Sequence, residues 1–425
     1  MTVPSSFFTE VDPRAATVPS RDPVGAQVVW SAVGRQVIGN LTLSSRDVAG
    51  FRTLLLGYLL PVEGAPLQER LHVFLRWEQY AAYCRLAARD RTSPLGARKA
   101  QRAIARGGSL TLSAESSHQI LADQRSTGLW TLYHRAAVLS GLATDDRHLT
   151  DEGRALVEPW ATVIPDEARR AVLKGRPKVS VLDSQEATDV ALVLVRGQKA
   201  ADRVTLRDAL LRGRCGSSAV PGTTWEVQEG LAQLEEELAL GWEGRVSVHR
   251  LRVAARAHKF GELDARLRTI EVAESVLQPA QALFDFVLRD GHQAPLTQLA
   301  AEVKVRWPGV ATHVEAESFV REVVPLLPAF ARQGSMWDSV AETMARSHWR
   351  QAIDAVITVH EQTVKRRGGR PWVSVTGPKD VVTVHRRQGR GLPDQAEILA
   401  GWLDPFYLPP FMQLHRDLAS PKGRL

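Results

Sequence analysis

A mainly α-helical chain with one small β-hairpin near its C-terminus is the fold class predicted here, and three observations carry the prediction. Apolar residues recur at helical spacing through most of the 425 residues. Between Ser117 and Trp160 two helical patterns, a polar turn, a short extended piece and a third helix follow one another. Strict alternation occurs over Trp372-Val373-Ser374-Val375 and again over Val381-Val382-Thr383-Val384, around the turn signal Thr376-Gly377-Pro378-Lys379. A chain of this length is expected to hold two or three domains. The pattern divides it into an irregular arm (1–21), a helical head (22–106), the helix-turn-helix and ribbon module (117–160), a long-helix bundle (161–364) and a basic β-hairpin with a closing helix (365–425).

Within the head, Val28, Val29, Ala32 and Val33, then Val37 and Ile38, mark one apolar face, and Gly39-Asn40 supplies a stop. Ser44 or Ser45 is the expected cap of a second helix that carries Phe51, Leu54, Leu55, Tyr58 and Leu59 and halts at Pro61. A third helix is predicted from Leu67 to Ala88, and Arg102 to Ser113 reads as a linker.

The module itself begins with a short helical pattern from Gln119 to Asp123, broken at Ser126-Thr127-Gly128, and continues with a stronger one from Leu129 to Leu142. On that second helix Leu129, Leu132, Tyr133, Ala136 and Leu139 share the core face, while Thr131, His134, Arg135 and Val138 fall on the other stripe. After the turn Asp145-Asp146-Arg147 comes the extended piece His148-Leu149-Thr150. Thr150 then caps a helix whose first residues, Asp151 and Glu152, suit the positive end of its dipole. Residues 147–156 resemble the wing-to-helix passage of bacterial winged-helix proteins. That resemblance implies a winged helix-turn-helix, with the outer stripe placed where a recognition helix carries its base-reading groups.

Beyond Trp160 the helical candidates are Asp166 to Lys174, Glu186 to Arg196, Leu206 to Arg212 and Trp225 to Leu240. Two long helices follow, one through Leu263 to Val287 with Pro279 expected to kink it, the other carrying the stripe Trp337, Val340, Met344, Trp349, Ile353, Val356 and His360 behind a Ser335 cap. Leu296 to Val305 and Glu315 to Ala329 lie between them. The helix Ala396 to Trp402 and the aromatic tail Phe406 to Phe411 are expected to cover the hairpin, and an exposed tail would be a partner site. Asp22-Pro23-Val24-Gly25 through Leu60, Trp372, and Trp402 to Tyr407 resemble uncharacterised bacterial proteins of phage-defence gene clusters. This implies a place in a multi-subunit defence assembly and assigns no residue a role.

Charge is concentrated rather than spread. Of 54 Lys and Arg, eight lie between Lys365 and Arg390 against Asp380 alone, leaving 46 basic and 46 acidic residues elsewhere. Arg85 to Arg106 holds seven basic residues against Asp90. Concentrated cations on a balanced body suit a polyanion, because each phosphate contact releases counterions; the plainer role is a solvated face. The two cysteines, Cys84 and Cys215, lack metal-ligand spacing, and no apolar leader or membrane-length run is present, so a cytoplasmic protein without membrane contact is expected.

Phosphate-binding loops, dinucleotide fingerprints, zinc-protease helices and nucleophile elbows are missing. Asp290 with Glu302-Val303-Lys304 has the residue types of a metal-dependent nuclease, but the surrounding spacing is helical where that chemistry needs a strand. The expectation is therefore a non-enzymatic component, without cofactor or metal, that binds DNA mainly through phosphates and contacts other protein subunits. Thr131, His134 and Arg135 would probe a groove and Arg147 would sit in the wing. Lys365, Arg366, Arg367, Arg370, Arg386, Arg387 and Arg390 would hold backbone. A protein-interaction scaffold without DNA binding is the alternative, and a metal-dependent nuclease the third.

Overall fold

The computed structural model describes residues 22–90, 93–107, 109–174, 178–182, 184–212, 225–238, 248–328, 336–386, 391–400, 403–404 and 406–419. The arm at 1–21, Cys215, Ser335, Arg387, Arg390 and Trp402 lie outside these residues. The chain is mainly helical and forms two compact units. One joins the residues up to Val33 to Arg268–Asp404, and the other joins Gly34–Leu267 to Pro405–Leu425. Two of the three divisions, after Val33 and after Leu267, fall inside helices, so the division cuts across the segments drawn from sequence.

The larger unit is built on α2 (Val48–Leu59) and α3 (Leu67–Ala87), which follow α1 (Ala26–Gly34). Phe51, Leu54, Leu55, Phe74 and Trp77 are fully buried at this centre, and Trp77 Nε1 donates to Thr53 O at 2.8 Å. Asp47, not Ser44 or Ser45, caps α2, its carboxylate accepting from Ala49 N. The Ser45 hydroxyl is instead engaged by Thr42 N at 2.7 Å, which closes the preceding turn. The stretch expected as a linker, Arg102 to Ser113, holds the end of α4 (Ala97–Ala105) and β1 (Leu110–Thr111), which pairs antiparallel with β2 (Lys178–Val179). Local spacing could not reveal a strand whose partner lies nearly seventy residues on.

Next come α5 (Gln124–Thr127), α6 (Leu129–Leu132), α7 (His134–Leu139) and α8 (Asp151–Ala161). They are followed by α9 (Asp166–Leu173), α10 (Gln185–Arg196), α11 (Ala200–Arg207), which runs into a wider turn at Asp208–Arg212, α12 (Trp225–Leu238) and α13 (Val248–Ala257). Buried arginines close two helix ends. Arg52 of α2 donates to Leu194 O and Val195 O of α10, and Arg76 of α3 to Val172 O and Leu173 O of α9. Carbonyls at a helix C-terminus have no partner within the helix and carry its negative dipole end, so a buried guanidinium satisfies both.

A continuous helix, α14 (Gly261–Asp290), runs through Pro279. The smaller unit then adds α15 (Leu296–Arg306), α16 (Val310–His313), α17 (Ala316–Ser318) with wide and tight turns to Leu326, α18 (Met336–Ala345) and α19 (Trp349–Arg366). The stripe read as one long helix is broken between α18 and α19. Ser347 adopts φ +57, while Ser347 N and His348 N bond back to Met344 O and Thr343 O, a reversed end that apolar spacing does not register.

The predicted hairpin is present as β3 (Val373–Thr376) and β4 (Val381–Val384), with Val373 opposite Val384. Its outer edge is paired too: Gln293 N donates to Val382 O, Val382 N to Ala294 O and Leu296 N to Asp380 O, at 2.8–3.1 Å. Beneath it His360 donates from Nδ1 to Pro23 O, accepts from Trp372 N on Nε2, and lies 4.6 Å from the Phe284 ring. Finally α20 (Gln395–Ala400) opens on a reciprocal cap between Asp394 and Glu397. The tail expected to cover the hairpin instead forms α21 (Leu408–Ala419), packed on α2, α11 and α12. Phe406, Leu408, Phe411 and Met412 are at most 2% exposed, so the aromatic tail is core and not a partner patch.

Candidate nucleic-acid interface

The module at 117–160 is held by a buried carboxylate. Glu78 of α3 accepts from Leu129 N and from Gln124 Nε2, each at 2.7 Å, and so fixes the start of α6 and the start of α5 together. A Cβ on Gly128 would meet Gln124 O at 2.3 Å and the Glu78 carboxylate at 2.8 Å, so glycine is what lets the acid reach the chain. Burial pushes the Glu78 pKa up to about 7. The first helix is Gln124–Thr127 and not Gln119–Asp123, because Asp123 caps it through Ser126 N and Gln119 Oε1 receives Gln124 N. The second is bent at Tyr133, whose ring packs edge-on to Phe51 at 4.9 Å and whose hydroxyl receives Asp47 N.

Beyond α7 the chain turns into a minimal ribbon. Ala143 and Leu149 form a bridge, Thr144 N donates to His148 O, and Thr150 Oγ1 caps α8 by accepting Gly153 N at 3.0 Å. From the side, Arg70 of α3 grips the tip, donating to Asp146 O and Arg147 O and meeting His148 Nε2 at 2.8 Å. Arg147 has φ +62, and its guanidinium lies 4.7 Å above the Trp130 ring. Its charge is therefore anchored on an aromatic face at the ribbon's base.

The outer stripe of α6 and α7 is mixed in character. Thr131 is exposed, with its hydroxyl donating to Arg125 O at 2.7 Å. Arg135 is exposed and 3.4 Å from Asp145, an ion pair that solvent weakens. His134 is turned inward and shares a hydrogen bond with Tyr58 at 3.0 Å. Burial, with Arg147 adding to it, lowers its pKa to about 4, so it is neutral near pH 7. Thr131 and Arg135 thus face solvent, whereas His134 couples the helix to α2.

In the smaller unit the basic cluster gathers at the end of α19. Lys365, Arg366, Arg367 and Arg370 are exposed over six residues of chain. Arg367 donates to Asp22 O and to the Asp22 carboxylate at 2.9 Å, and Lys365 reaches Glu361 at 3.2 Å. Beside them is a cavity of about 370 Å³ lined by Val28, Met336, Trp337, Thr363, Arg366 and Arg367. Arg386, at the end of β4, lies 4.6 Å above the Trp372 ring. Lys365 and Arg366 also complement the negative end of the helix dipole, a structural role that any helix of this kind can use. Sequence reasoning missed Asp22 and Trp337 here, because Asp22 is brought back over 345 residues of chain and Trp337 across the turn between α18 and α19.

Glu302 and Lys304 lie on α15, with Gln298 Nε2 on Glu302 at 3.0 Å. Residues two apart on a helix point to different sides, so the pair does not converge on one point. Among the described residues, no group of three or more His, Cys, Asp or Glu is placed to hold a metal, and no helix is long and apolar enough to cross a membrane. Comparison with protein families, curated proteins and solved structures returns no match.

Proposed function

We propose that this chain is a non-enzymatic, cytoplasmic DNA-binding component of a bacterial multi-subunit assembly of the anti-phage kind, and that residues 117–160 are a winged helix. The observation that carries the reading is the end of α19, where Lys365, Arg366, Arg367 and Arg370 are exposed together beside a cavity with Trp337 in its wall. A compact group of exposed cations offers phosphate neutralisation beside a recess whose wall includes the buried Trp337. The paired ribbon of β3 and β4 follows these cations directly and gives them a stiff edge along which a backbone can lie. In the other unit, Thr131 and Arg135 project from the short helices ahead of a ribbon held by Arg70, the order in which a winged helix presents its reading stripe.

Binding of this kind is dominated by phosphates, so sequence preference is modest. Replacing Arg366, Arg367 and Arg370 together by Gln is expected to weaken binding to any DNA sequence about tenfold or more, and to lower the magnitude of the salt slope by between about 2 and 3. Because Arg367 also holds Asp22, the Asp22→Asn variant serves as a control for that structural contact. Unchanged affinity and slope in the triple variant would rule the assignment out.

A further inference from the structure

On residues other than Thr131, Arg135 and the α19 cations, the larger unit carries a groove of about 500 Å³ between α4, β1 and the turn at 117–120 that opens the module. Lys99, Arg102 and Arg106 stand along one wall and His118 on the other, with Tyr83 and Gln119 among the lining residues. Among the described residues, no acidic side chain lines it. The helix that supplies the cations has no acidic residue either, and among the described residues none of Lys99, Arg102 and Arg106 has an ion-pair partner. A face kept only for solubility intersperses both signs, so an unrelieved row of cations lining a cavity needs another explanation.

Spacing gives the row a direction. Positions 99, 102 and 106 fall on one side of a helix, and at 1.5 Å of rise per residue they extend over about 10 Å. That is about the rise of three nucleotides in one strand of a duplex, at about 3.4 Å each. A single phosphate would call for cations converging on one point, whereas a line of them follows a polymer. The floor provides a second observation. Tyr83 is 4% exposed and lines the groove, and among the described residues its hydroxyl has no hydrogen-bond partner. The hydroxyl itself is not sealed off, so it can hydrogen-bond a ligand in the groove. Gln119, by contrast, is already used, bonding Ala114 O and Gln124 N, and acts as wall.

We propose that this groove is a second nucleic-acid contact, which takes the phosphate backbone of one strand along Lys99, Arg102 and Arg106 with Tyr83 at its floor. The assignment rests on the DNA-binding reading but on separate residues in the other compact unit, so the two are tested apart. The experiment is fluorescence anisotropy of a labelled single-stranded oligonucleotide of about twenty nucleotides, titrated across salt, with the full chain, its Lys99→Gln/Arg102→Gln/Arg106→Gln variant and a Tyr83→Phe variant. The positions of the triple variant are exposed, and unchanged melting temperatures confirm that it folds. Loss of three phosphate contacts lowers the magnitude of the salt slope by about 2, at about 0.7 per contact on a single strand, and weakens binding about tenfold or more. Tyr83→Phe is expected to weaken it several-fold.

A wild-type chain that binds while the triple variant keeps its affinity and slope overturns the groove alone and leaves the α19 surface standing. A wild-type chain that does not bind at low salt overturns both. A mononucleotide at millimolar concentration provides the last arm. Full displacement of the oligonucleotide by it, lost in the groove variant, would make the groove a nucleotide pocket and refute the strand assignment.

Discussion

Glu78 shows how much of this protein's behaviour hangs on single side chains. Its pKa, near 7 when folded, lies above the ordinary value of 4.5. Between those values the folded chain keeps a proton that the unfolded chain releases, so this group makes stability fall as pH rises from about 4.5 to about 7, after which its effect is constant. A gap of that size corresponds to about 3 kcal/mol. Urea midpoints measured across this window are expected to differ between the wild type and Glu78→Gln, with the variant lacking that part of the slope; parallel curves would show that Glu78 is ionised in the fold at low pH. Gly153 makes an equally local claim. A Cβ there would stand 2.0 Å from Leu142 O, inside the joint between ribbon and α8. Gly153→Ala is expected to destabilise the chain by about 2–4 kcal/mol in equilibrium unfolding. Thr150 as a cap was legible in the sequence, because capping is a local interaction. Glu78 was not, since its partners at Gln124 and Leu129 are set by how the chain folds back onto α3.

At the scale of elements, local pattern was readable and breaks in pattern were not. Helices α3, α8 and α15 and the β3–β4 hairpin follow directly from apolar spacing and turn residues. The break between α18 and α19 did not, because Ser347 supplies the left-handed conformation that glycine usually marks. The bend at Tyr133 was likewise hidden, being set by contacts with Asp47 and Phe51 on another helix. The candidate site shows the same division. Exposure of Thr131, Arg135 and the 365–370 cations accords with their charge or polarity, while the inward turn of His134 depends on Tyr58. For this reason substitutions on α7 are expected to separate: Arg135→Ala, losing one solvent-exposed ion pair, changes stability by less than about 1 kcal/mol, whereas His134→Ala removes a packed ring and lowers the melting temperature by several degrees. Equal losses in thermal melts would contradict the inward placement.

For the molecule as a whole, composition indicated a balanced body with cations gathered in two places; among the described residues Lys99, Arg102 and Arg106 are exposed in one unit and Lys365, Arg366, Arg367 and Arg370 in the other, whereas Arg85 is buried and paired with Asp47 and Asp90. Sequence segments could not give the units themselves, because each unit closes with chain from far away: Asp22 reaches Arg367 in one, and Arg35 lies 4.4 Å from the Tyr407 ring in the other. The two proposed phosphate-binding surfaces also make a quantitative statement, since their contributions to the salt dependence would add. The measurement that tests this most directly is the affinity of the full chain for duplex and single-stranded DNA, followed by anisotropy from low to physiological salt. The account predicts binding at low salt that weakens with a log–log slope of magnitude about 4 or more, from about five or more phosphates engaged, and little change when the DNA sequence is altered. No binding at low salt, or binding indifferent to salt, would contradict it and leave a subunit whose surfaces serve protein contacts alone.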